Sequence, residues 1–286
     1  MTRHAPNGHV MASVWLCAIA LAVGGMAGLI RITPEPQRST TRDVERLQPP
    51  PFGVFIGTSL VALALPAEQP AKDIFRTAEA SDLFVRIASA SLSDAEILER
   101  VRLAVRAGVK KIFVEIDPLL RTFRAEPKRV AGLRRVRDFG DRLHNAARQW
   151  LGRGPPATNI GALIDSPGDT IYDGNIRELA LIYPVHVHAP RDPAAIAEAL
   201  AIARRRGLDI VWVAMPRSQT AAAYLGPAFE TAFSGQLQAF AAAFNATVWR
   251  PAIFWPNEFF IDQAHMNAAG RARFTSEFRR YGASAP

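Results

Sequence analysis

The chain has 286 residues, a formal charge of +8 and 49% hydrophobic residues, enough for one large domain with a sizeable core plus appendages. Its single cysteine, Cys17, excludes an intrachain disulfide and a cysteine-based metal site within this sequence. The positive charge is almost all arginine, spread along the chain with clusters at Arg134-Arg135 and Arg204-Arg205-Arg206; both fall in helical patterning and read as solvated helix faces, not as a nucleic-acid surface.

After a short tail (residues 1–9), residues 10–30 read VMASVWLCAIALAVGGMAGLI and carry no charge. As a helix this stretch would span roughly 30 Å, the thickness of a bilayer core. It is read as a retained signal anchor. A cleaved signal peptide is the alternative, since small residues cluster at Gly24, Gly25, Ala27 and Gly28, but the stretch is long for a signal's apolar region. Trp15-Leu16 do not form a lipoprotein cleavage site before Cys17. Arginines stand on both sides, so charge bias leaves the orientation open. Residues 31–51, rich in Pro, Ser, Thr and charge, read as a linker, and the folded domain is expected over 52–286.

Within that domain short apolar runs alternate with helical patterns. Strands are expected at 52–56, 83–88, 111–116, 160–164, 210–214 and 247–249, several of them continuous β-branched or aromatic runs, as strands buried on both faces require. A helix begins after Ser93, with Glu96 completing a capping box, and stops at Gly108. Another starts at the Asp192-Pro193 cap and runs to Arg206 before Gly207. Further helices are expected over 133–151, 227–244 and 267–281. Strand and helix in alternation predict an α/β fold with a mainly parallel sheet and helices on both faces.

In such folds ligands bind at the carboxyl ends of the strands. The residues to inspect are therefore Ser59, Ser89, Ser91, Asp117 and the run Met215-Pro216-Arg217-Ser218. Late in the chain, Asp262 and His265 lie three residues apart just before a helix, so they share one side of a turn. A carboxylate there can orient an imidazole, and the imidazole can take a proton from a serine hydroxyl brought in from elsewhere. Standing alone, Asp262 reads more simply as a helix cap. His186 and His188 could share a strand edge, but no third ligand lies at metal-site spacing, and no metal or cofactor is expected. Trp249, Phe254, Trp255, Phe259 and Phe260 crowd the approach to Asp262; core packing is their default, and a sugar-stacking platform the sharper reading.

Two blocks taken together carry a resemblance. Gly57-Thr58-Ser59-Leu60 ends the first expected strand, and Asp262-Gln263-Ala264-His265-Met266-Asn267, with Gly270, precedes the last helix. This order and placement resemble the SGNH (GDSL-type) hydrolase superfamily over the whole of 52–286. The resemblance implies a three-layer α/β/α sandwich of flavodoxin-like type, with Ser59 as nucleophile, His265 as base and Asp262 as its orienting partner. It also implies an oxyanion hole built from the Ser59 backbone N–H, a backbone N–H after the second expected strand, here assigned to Ser89, and a third-block Asn. Asp117 stands in that last place, in Glu115-Ile116-Asp117-Pro118. A protonated Asp117 could donate to an oxyanion; an ionised one would repel it. Arg217, Trp255 and Asn267 are the candidate substrate-binding residues.

Divergent anchored members of that superfamily modify bacterial envelope polysaccharides. The resemblance thus implies an ester hydrolase or O-acyl(acetyl)transferase acting on an envelope glycan. It places the chain in the cytoplasmic membrane as a single-pass protein whose domain faces the periplasm or exterior, with a membrane-bound acyltransferase as a candidate partner. The competing expectation is a catalytically weak glycan-binding or scaffold subunit. A basic domain held against anionic lipid is a further competitor that the spread of Arg disfavours.

Overall fold

The computed structural model of the protein describes residues 49–89, 92–122 and 186–284. All belong to the compact unit Ser39–Glu126 plus Ala157–Pro286; the second unit, Met1–Arg38 plus Pro127–Pro156, lies outside the described residues. So do the apolar segment 10–30, the linker up to residue 48, the helix expected over 133–151 and the strand expected over 160–164. Among the described residues no helix is long and apolar enough to cross a membrane.

Among the described residues the main sheet has six strands: β1 (Gly53–Gly57), β2 (Glu68–Pro70), β3 (Leu83–Ala88), β4 (Lys111–Glu115), β5 (Ile210–Val213) and β6 (Thr247–Trp249). Their spatial order is β2-β3-β1-β4-β5-β6, parallel throughout except for β2, which runs antiparallel along the edge of β3. Strand β2 has no apolar run to announce it, and Pro70 is tolerated there because an edge strand need not donate on its outer side.

Among the described residues six α-helices accompany the sheet: α1 (Ser59–Ala64), α2 (Asp94–Ala107), the short α3 (Asp117–Leu120), α4 (Pro193–Arg205), α5 (Gln219–Phe244, broken at Gly226) and α6 (Ala268–Ser284). The expected caps form. Ser93 and Glu96 make a reciprocal capping box, Gly108 ends α2 in the left-handed conformation, and Asp192 caps α4. The helix expected from 227 begins earlier, because Ser218 caps a preceding turn by accepting from Ala221 N–H.

Alternation along each strand divides the core. Val54, Ile56, Ile112, Val114, Ile210 and Trp212 point into one apolar cluster, which α2, α4 and α5 cover. Phe55, Phe113 and Val213 point into the other, with α1 and the Phe274 and Phe278 face of α6. Both faces of the sheet are thus buried, which is why its strands read as unbroken apolar runs.

The strand order also fixes where a site can lie. From β1 the chain moves to β3 on one side, then crosses to β4 on the other. The direction of winding therefore reverses between β1 and β4, and at such a point the strands' carboxyl ends open a crevice. Gly57-Thr58-Ser59 and Glu115-Ile116-Asp117 flank it.

Candidate active site

Ser59 is the first residue of α1. Thr58 caps that helix: its hydroxyl accepts from Leu60 N–H at 3.3 Å, and its carbonyl accepts from Ala62 N–H at 3.0 Å. Gly57 is needed by close approach. A Cβ built there would stand 2.4 Å from Val61 Cγ2 and 2.7 Å from Glu115 Oε2. The sharp strand-to-helix turn thus leaves Ser59 half-buried at the crevice.

The partner residues come from the segment before α6. Phe260 bridges Met266, and Ile261 N–H donates to His265 O at 2.7 Å, closing a tight loop. Inside it Asp262 Oδ1 accepts the N–H groups of Ala264 and His265, each at 2.8 Å, and Oδ2 accepts from His265 Nδ1 at 2.7 Å. Burial pushes the Asp262 carboxyl up, but the hydrogen bond and charge of His265 and the two backbone N–H groups outweigh it and hold it below the usual carboxylate value. With Nδ1 donating to Asp262, Nε2 is the accepting nitrogen, and it lies 2.8 Å from Ser59 Oγ. Three side chains from the two ends of the domain thus form one hydrogen-bonded line, carboxylate to imidazole to hydroxyl. Chemically this line can draw the proton from Oγ as it attacks a carbonyl.

The rest of the late block is structural support. Asn267 Oδ1 accepts from Gly270 N–H at 3.0 Å, capping α6, and its Nδ2 donates to Glu258 O at 2.7 Å. Asn267 is buried with its polar atoms so engaged, so the substrate contact expected of it is replaced by a capping role. A Cβ at Gly270 would lie 2.0 Å from Phe259 O, so only glycine lets α6 seat against the loop that carries His265.

Four other residues expected at the site are engaged within the domain. Trp255 is fully buried, packed between Phe259 and Phe274 with the Arg273 guanidinium over its ring, and offers no face to a sugar. Arg217 is buried as well; it pairs through Nη2 with Asp117 Oδ1, while its backbone N–H donates to Ile253 O. Asp117 accepts from Arg217, from Arg121 and, at 3.0 Å, from Met215 N–H. It is the acceptor of a buried ion-pair cluster, not a donor aimed at the crevice. Ser89 N–H, the second oxyanion candidate, donates to Gly57 O at 3.2 Å and extends the β1–β3 ladder; Ala90 and Ser91 lie outside the described residues. His186 pairs with Thr122 in a short two-stranded ribbon, and among the described residues no three His, Cys, Asp or Glu side chains gather as a metal site.

One residue at the site was not singled out from the sequence. Glu115, fully buried at the end of β4, accepts Thr58 N–H at 2.6 Å on Oε2 and the Thr58 hydroxyl at 2.8 Å and 3.0 Å on its two oxygens. Burial and the neighbouring Asp117 push its carboxyl up to about 7, against the opposing effect of Thr58 and Arg217. The available signal was an acid closing the strand KIFVE after three apolar residues, beside the crevice.

No known protein-family model matches the chain, and no curated protein matches it.

Proposed function

We propose that the chain is a serine-dependent ester hydrolase or O-acyl(acetyl)transferase of the SGNH (GDSL-type) class, with the flavodoxin-like α/β/α sandwich of that class. The observation that carries this reading is the line Asp262–His265–Ser59, with contacts of 2.7 Å and 2.8 Å, at the crevice between β1 and β4. Ser59 Oγ attacks the ester carbonyl carbon while its proton passes to His265 Nε2. The Asp262 carboxylate stabilises the imidazolium. The carbon–oxygen bond to the leaving alcohol then breaks, His265 returns the proton to that alcohol, and the acyl group stays on Ser59. In the second half water or a glycan hydroxyl, deprotonated by His265, attacks the acyl carbon, the bond to Ser59 Oγ breaks, and His265 returns the proton to Oγ. The Ser59 N–H is the assigned oxyanion donor. The apolar segment 10–30 and the linker suit an anchored domain outside the cytoplasmic membrane, working on an envelope glycan ester, with a membrane-bound acyltransferase as partner.

A second reading, a catalytically weak glycan-binding or scaffold subunit, is favoured by one observation. The side chain and the N–H expected to complete the oxyanion hole, Asp117 and Ser89, are engaged elsewhere. Losing one such donor typically costs a hundred- to thousandfold, about 3–4 kcal/mol, in the transition state. The two readings separate when the purified full-length chain is given a short acetyl ester beside Ser59→Ala. Turnover abolished by the substitution supports the enzyme. A folded wild-type protein with no turnover above the variant supports the binding subunit.

A further inference from the structure

Resting on the reading of Ser59 as nucleophile, we propose that Glu115 is a positioning residue: by accepting both the N–H and the hydroxyl of Thr58, its carboxylate fixes the direction in which the next residue presents its Oγ and its N–H. The contacts run across the crevice, from the end of β4 to the end of β1, so they tie together the two strands between which the winding reverses. Thr58 is used completely. Its hydroxyl donates to Glu115 and accepts from Leu60, and its N–H is spent on Glu115. Gly57 supplies the room, since a Cβ there would crowd both Val61 and Glu115 Oε2, the latter at 2.7 Å. A charged side chain is costly at a fully buried position unless its acceptors are satisfied; here the donors come from the residue that precedes the nucleophile.

Two donors aimed at one carboxyl favour its ionised form. A protonated carboxyl must turn one oxygen into a donor, and the strap on Thr58 then loses part of its grip. The charged groups acting on Glu115 are Asp117 at the start of α3, which opposes ionisation, and Arg217 beyond β5, which favours it; α1 contributes Thr58. The attack of Ser59 should therefore need Glu115 deprotonated, and its rate should fall as pH drops through about 7 and that carboxylate takes up a proton.

The test uses the full-length chain, a fluorophosphonate probe that reports Ser59 reactivity and a short acetyl ester that reports turnover. Wild type is expected to lose reactivity as pH falls through about 7, where Glu115 takes up its proton. Glu115→Gln keeps the shape but cannot ionise. Its expected signature is a pH profile that lacks the Glu115 step, with reactivity at pH 8 lowered about ten- to a hundredfold by misplacement of the nucleophile. For the ester, kcat should fall with KM little changed. Thr58→Val removes one leg of the strap and should lower kcat in the same way, and Thr58→Ser should restore most of what Thr58→Val loses. If Glu115→Gln does not fold, the Thr58 pair decides. A folded Glu115→Gln, or failing that Thr58→Val, that keeps the wild-type rate and acid limb overturns the proposal. Failure of the underlying reading looks different: wild type itself is then neither labelled nor active, and the inference falls with it.

Discussion

Asp262 divides its two oxygens between jobs that a single carboxylate can combine because of the i, i+3 spacing. One oxygen holds the loop through two backbone N–H groups; the other holds the imidazole. Asp262→Asn keeps the shape but offers His265 Nδ1 an amide whose nitrogen cannot accept and whose carbonyl carries no charge. Reactivity of Ser59 toward an acetyl ester should drop on the order of a thousand- to ten-thousandfold with the fold retained, as read by circular dichroism and initial rates. Glu115 makes a separate prediction about stability. Its folded carboxyl titrates at about 7, above the ordinary value of 4.5, so between those limits the folded chain holds a proton that the unfolded chain has released. The protonated carboxyl's contribution is complete at the acid end and is lost as pH rises through about 7. Denaturant titrations at several pH values should show wild type losing on the order of 3 kcal/mol relative to Glu115→Gln across this window. A difference that does not change with pH would refute the buried titration. The ionised strap that positions Ser59 thus comes at a cost in stability, a common tension at working sites.

At the scale of elements, α1 is too short to hold itself: a six-residue helix leaves most of its carbonyls without intrahelical donors. Two guanidiniums replace them. Arg86 of β3 donates through Nη1 to Ala62 O and Leu65 O, and Arg271 of α6 donates through Nε to Leu63 O at 3.0 Å and through Nη2 to Ala62 O at 3.3 Å. The helix that begins at Ser59 is thereby fastened to the helix that follows His265. Arg271→Met keeps the apolar stem and removes the donors. It should destabilise by about 1–3 kcal/mol and lower Ser59 reactivity together with stability. The junction of α6 with its preceding loop is equally specific. Gly270→Ala forces a methyl group against Phe259 O and should cost about 3 kcal/mol or more, measured by chemical denaturation. An unchanged midpoint would mean that α6 can slide away from the loop.

At the scale of the whole molecule, the parallel sheet was legible because its strands are buried on both faces: KIFVE and IVWV announce themselves as apolar runs between capped helices. The edge strand EQP was not legible, since an edge needs no such run. Ser59, His265 and Asp262 could be picked out because order and spacing carry them, although their meeting depends on a topology that places β1 and α6 side by side. The buried placement of Trp255, Arg217 and Asp117 was not legible, for one physical reason. Proximity in sequence to a strand end does not say which way a side chain points, and all three turn into the interior. Glu115 stayed hidden for the converse reason: an acid at a strand end reads as exposed until the fold covers it. Arg86 lies inside an apolar strand, LFVRIA, and its use as a clamp needs α1 to be known first.

The proposed chemistry rests on Ser59 acting as a nucleophile armed by His265 and Asp262. The most direct measurement is mass spectrometry of the digested full-length chain after reaction with a fluorophosphonate. A single phosphonyl adduct is expected on the peptide containing Ser59, absent in Ser59→Ala and strongly reduced in His265→Ala. No adduct on the folded wild-type chain, or an adduct on another residue that persists in Ser59→Ala, would contradict it.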